Sequence, residues 1–197
     1  MMDIDSEIRR LVELMPASGR MLTKIISKPQ QSRVIDCKFP RPWERGDRPI
    51  AINFTLWEQL SQPQRDLLLL STVSRLTGIR WFKPDIYQGL TVMGLGGVAL
   101  QLWQKDVVGL VAAAGLTAIA ANQIWRNYRS EEREIEADET AMKVATRRGY
   151  EATEAANYLL SAIEKAAKIE NRTSLNFTEL IRCQNLRVKI GNQVSKV

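Results

Sequence analysis

The residues best suited to chemistry lie in EIEADETAMKVATRRGY, residues 134–150, where Glu134, Glu136 and Asp138 crowd one helical segment. A Glu delivered by such a helix can ligate a metal. A catalytic zinc needs three protein ligands, usually His or carboxylate, and an open position for water. The chain has no His at all. Its two cysteines, Cys37 and Cys183, read as reduced packing residues and not as a disulfide or a metal pair. Taken alone, Glu134, Glu136 and Asp138 are the solvated acidic face of a helix.

The elements that would position these acids follow from composition and periodicity. The chain has 197 residues, 45% hydrophobic and 25% charged, which suits one folded domain, or one with a small appendage. No internal repeat is found. The net charge of +6 is spread out. With no zinc finger and no RNA-binding aromatic motif, nucleic acid is not expected as a partner. The N-terminal MMDIDSEIRRLVELM lacks the order of a cleaved signal peptide.

Ile4, Ile8, Leu11, Val12 and Met15 predict a helix over 4–16, with Ser6 or Asp5 as its cap. RVIDCKF and IAIN (50–53) predict two short strands around the exposed basic loop PRPWERGDRP. Ser61 and Pro63 open an apolar helix over 60–78, carrying Leu67, Leu68, Leu70, Val73 and Leu76. Charged helices are predicted up to Gly149 and over 151–170, and a third over 174–190, with a frayed tail after Gly191. The last helix is expected to close the core, the alternative being a partner-binding helix.

Residues 86–103 and 107–125 carry no charge and are separated by the polar turn Gln104–Asp106. Each is long enough, at about 1.5 Å per residue, to approach the roughly 30 Å of a bilayer core. Trp81, Trp103 and Trp125 stand at the ends, and basic residues cluster outside the hairpin. This predicts a membrane hairpin over 86–125 with both termini cytoplasmic. Gly109, Ala113, Thr117 and Ala121 give it a small-residue stripe. A buried hairpin in a soluble protein is the alternative.

The order of these elements resembles that of HtpX-type zinc metalloproteases, the family that includes the CAAX prenyl proteases. The likeness covers roughly residues 33–165: the strand IAIN, the lead-in LSQPQ, the helix LLLLSTVSRLTG, the hairpin, and then EIEAD. It implies that Ser71 stands at the first His ligand, Thr72 at the catalytic Glu, Arg75 at the second His, Glu134 at the third ligand and Asp138 at the Asp after it. Ser71 is a poor zinc ligand, Thr72 is no base at neutral pH, and Arg75 is a fixed cation where the metal would sit. The resemblance thus implies an inactive, degenerate zincin-like core with no metal, in which Arg75 pairs with Glu134. The whole chain also resembles an uncharacterised family of cyanobacterial membrane proteins, through RWFKPDIYQGL, QIWRNYRS and NRTSLNFTELIRCQNL.

The expected fold class is therefore mainly α with a small β element (α+β). The expected divisions are an N-terminal helical segment 1–32, a metalloprotease-like domain 33–170 and a C-terminal helix and tail 171–197. The expected function is that of a non-catalytic pseudoenzyme in a thylakoid or plasma membrane, a scaffold, assembly factor or regulator of a membrane protein partner. No cofactor and no small-molecule substrate are implied. A peptide could add to a strand edge at Ile50, Ala51, Ile52 and Asn53. The alternatives are a hydrolase with the atypical ligands Glu134, Glu136, Asp138 and Cys37, and a soluble basic protein lying on anionic lipid.

Overall fold

In a computed structural model, the element at the centre is the helix that the run of leucines predicts. The structure describes residues 2–38, 46–78, 115 and 131–194. The segments Met1–Ile79 and Glu131–Val197 form one unit and Arg80–Ser130 another. Apart from residue 115, the expected hairpin 86–125 lies outside the described residues. Among the described residues, no helix is long and apolar enough to cross a membrane.

The described elements are α1 (Ile4–Leu14), α2 (Ala17–Leu22), β1 (Thr23–Ser27), β2 (Ile35–Cys37), β3 (Arg48–Ile52), α3 (Phe54–Trp57), α4 (Gln62–Thr77), α5 (Glu131–Arg147), α6 (Ala152–Ile169) and α7 (Phe177–Val194). The fold is mainly helical with one small three-stranded sheet.

Helix α4 starts at Ser61, whose backbone N–H donates to Gln64 Oε1 at 3.0 Å, with Pro63 in the first turn. Residues 66–74 of α4 are all buried, Ser71, Thr72 and Ser74 among them. A helix buried all round must be covered on more than one side. Its Leu68, Leu69, Val73 and Leu76 join the sheet, α1 and Trp57 in one cluster. Leu67 and Leu70 join Ala141, Ala145, Leu159 and Leu186 in a second. The alanines of α5 and α6 let those helices approach α4 closely.

Three local expectations are corrected. The cap of α1 is Asp3, whose carboxylate accepts from Ser6 N at 3.3 Å; Ser6 instead turns its hydroxyl to the Asp3 carbonyl. The N-terminal segment 1–32 is not purely helical, because TKIIS forms β1 and pairs in parallel with β3. And β3 is no edge: it lies between β1 and β2, in the order β1-β3-β2. Both sides of Ile50, Ala51 and Ile52 are thus occupied, and no peptide can add there. Asn53 is committed as well. Its amide nitrogen donates to the carbonyls of Pro29 and Gln31 at 2.9 and 2.8 Å, and its Oδ1 caps α3.

Helix α5 ends at Arg147, and the chain turns away at Gly149, which adopts φ 97, the left-handed value that glycine takes freely. Helix α7 packs on α5 and α6, burying Cys183 and Leu186, and runs to Val194, past the expected fraying point. It therefore closes the core, although Phe177 and Leu180 remain exposed on its outer side.

Candidate functional site

Ser71 and Arg75 are one helical turn apart on α4, and Glu134 and Asp138 one turn apart on α5. The two helices run antiparallel at this point, so the pairs meet as two rungs. In one, the Ser71 hydroxyl donates to Asp138 Oδ1 at 2.6 Å. In the other, Arg75 Nη1 donates to Glu134 Oε1 at 2.9 Å. The face of α5 that carries both acids also carries Ala137, Ala141 and Ala145, all buried. Half-buried Glu134 and buried Asp138 thus lie on the inner face, which corrects the expectation of a solvated acidic face for these two.

A third helix completes the group with a residue that the sequence reading missed. Arg182, from α7, donates Nε to Asp138 Oδ2 at 2.8 Å and Nη2 to Asp138 Oδ1 at 2.7 Å. The same Nη2 reaches Ser71 Oγ at 2.9 Å, and Nη1 stands 3.8 Å from Glu134 Oε2. This two-pronged geometry is specific to a guanidinium. The available signal was a lone Arg on the buried side of α7 beside Cys183.

Two cations thus face two anions, with a hydroxyl between them. Burial pulls the Arg182 guanidinium down, but Asp138 and then Glu134 outweigh it and raise its pKa. Burial likewise pulls Arg75 down, and Cys37 and Glu134 reverse the sign. Arg75 Nη2 also contacts the Cys37 sulfur. Burial pushes the Cys37 thiol up, against the opposing pull of Arg75. Burial also pushes Cys183 up, to about 11, as suits a packing thiol.

A polar cleft of about 140 Å³ opens beside the group, with Arg33, Asp36, Glu170 and Arg172 among its walls. Its rim is fixed by Arg172, which forks onto Glu179 at 2.7 and 2.8 Å and reaches Glu170 at 2.8 Å. Glu170 in turn accepts from the Val34 N–H at 2.8 Å, tying the rim to the sheet.

The donor set does not fit a zinc ion. Asp138 is 1% exposed and its oxygens already accept from Ser71 and Arg182. Thr72, at the position matched to a catalytic base, donates its hydroxyl to the Leu68 carbonyl at 2.9 Å within its own helix. Glu136 is exposed and does not join Glu134 and Asp138. Among the described residues no three His, Cys, Asp or Glu side chains are placed to hold a metal. A metal here would have to displace two guanidiniums.

Fold and site together define a small helical α+β protein with a charge-compensated centre between three helices. The family described as "Protein of unknown function (DUF3318)" matches residues 9–150, and the chain belongs to that family. The matched span includes Ser71, Arg75, Glu134 and Asp138; Arg182 lies beyond it. The chain is also 32% identical, over 164 residues, to thylakoid membrane protein slr1949 of Synechocystis sp., a match covering 81% of this chain and 76% of that protein. No solved structure matches the chain.

Proposed function

We propose that the protein is a non-catalytic membrane protein that holds, assembles or regulates a membrane protein partner. The observation that carries this reading is the saturation of the site. Arg75 and Arg182 occupy the space between Glu134 and Asp138, and the polar atoms that could activate water or substrate are already bonded. Two positive charges there disfavour a divalent cation, so the reading with atypical ligands has little support. The relative's name, thylakoid membrane protein, supports placement at a membrane of that kind. In this reading residues 86–125 form the spanning hairpin, with both termini cytoplasmic. The convergence of Ser71, Arg75, Glu134 and Asp138 is compatible with a degenerate protease-like core.

The test is affinity purification in mild detergent from cyanobacterial membranes, with quantification of co-purifying proteins and of bound metal. One stoichiometric protein partner, with metal far below stoichiometry, is the expected result. A pure, monodisperse protein without a partner would count against the scaffold. Stoichiometric zinc that survives dialysis would overturn the non-catalytic reading.

A further inference from the structure

We propose that the α2–β1 segment is a docking surface for an anionic lipid headgroup layer. The proposal deepens the membrane reading above, and rests on it. Between Glu13 and Asp36 the chain has no acidic residue but carries Arg20, Lys24, Lys28 and Arg33. The fold turns most of this run outward. Helix α2 ends on Arg20, Met21 and Leu22, all exposed, with Met21 at 79%. In β1, Thr23 and Ile25 point into the core, so Lys24 and Ile26 alternate onto the outer face. Lys28 follows, also exposed. Ile4, Val12, Phe177, Leu180 and Val188 are exposed too, but Met21, Leu22 and Ile26 fall within the acid-free run and are interleaved with Arg20, Lys24 and Lys28.

The charges are available. Arg75, Arg172 and Arg182 are each locked onto carboxylates, whereas Arg20, Lys24 and Lys28 make no ion pair with a described residue. The acid nearest in the sheet register is Asp36, opposite Ala51 on β3, and Arg33 already pairs with it at 3.4 Å. A lysine on an edge strand can serve only to discourage strand pairing. That leaves Met21 and Leu22, which lie outside the strand, unexplained. Cations ringing a few exposed apolar side chains fit the boundary between anionic headgroups and acyl chains. A nucleic acid would satisfy the cations but leave Met21 and Ile26 without a partner.

The experiment uses the full chain with phosphatidylcholine vesicles, with and without phosphatidylglycerol. Flotation reports binding. Acylation of lysines by a water-soluble reagent, read by mass spectrometry, reports the surface. Phosphatidylglycerol should protect Lys24 and Lys28 several-fold and leave the exposed Lys143 on α5 unchanged. High salt should remove the protection. The K24E/K28E variant should lose the phosphatidylglycerol dependence; its sites are exposed, and an unchanged circular dichroism spectrum checks its fold. Flotation with both vesicle types, with Lys24 and Lys28 still labelled, would overturn this surface and leave the membrane reading standing. No flotation with either would overturn both. Equal protection by single-stranded RNA would reassign the patch to nucleic acid and end the proposal.

Discussion

Ser71 and Asp138 stand 67 residues apart in sequence and 2.6 Å apart in space, and Arg182 bonds to both. The carboxylate is buried, and Arg182 is the cation paired with it. Removing one partner of a buried pair strands the other. Arg182→Ala should therefore cost about 3 kcal/mol of stability, measured by urea unfolding. Arg182→Lys keeps the charge but not the fork, and should recover only part of the loss. Full recovery by lysine would mean that charge alone matters and that the two-pronged geometry contributes nothing.

The second rung makes a smaller, separable claim. Arg75 and Glu134 are 2.9 Å apart, with side chains 35% and 19% exposed, so solvent weakens the pair. In a double-mutant cycle with Arg75→Ala and Glu134→Ala, the coupling should be about 1 kcal/mol, the double variant losing less than the sum of the singles. Simple additivity would show that the two residues are neighbours and no more.

How far the site could be read in the sequence depends on which helix supplied each part. Helical period is local, so α4 and α5 were legible, but their acids read as a solvated face, and only the resemblance set Glu134 opposite Arg75. Arg182 was invisible because its partners are 44 residues or more away, and in FTELIRCQNLRVKI it looks no different from the exposed Arg187. Strand β1 was missed for a related reason. TKIIS is short and follows directly on α2, and its strand character depends on pairing with β3. The same long-range pairing moved IAIN from an edge to the centre of the sheet. No spacing rule could have shown that two arginines balance the two acids.

Acid should loosen this protein through Glu7 and Glu179. Burial pushes the Glu7 carboxyl up, but Arg10, Trp57 and Arg65 outweigh it and hold it below the usual range. Glu179 is likewise lowered, burial opposing, by Arg172 and the Asn176 N–H. The folded state thus binds fewer protons than the unfolded chain. The stability these groups supply is present above the ordinary carboxylate range and is lost as pH falls through the lowered folded values. The urea midpoint should decline below about pH 5. Glu7→Gln and Glu179→Gln should each lower the neutral-pH midpoint and flatten the decline. An unchanged slope in both would assign acid sensitivity to other groups.

The last prediction concerns the contact that sets α2 on α4. A Cβ built at Gly19 would lie 2.6 Å from Val73 Cγ1, closer than any real contact. Val73 is fully buried in the cluster shared with the sheet, so it has little room to yield. Gly19→Ala should therefore destabilise by about 1–3 kcal/mol, as other overpacking changes do. Val73→Ala alone should also destabilise, because it leaves a void. Together the two changes should cost less than their sum, since the smaller residue at 73 makes room for the added methyl. The cycle is read from urea midpoints at neutral pH. A double variant as unstable as the sum, or worse, would mean that the contact with Val73 is not what bars a side chain at position 19.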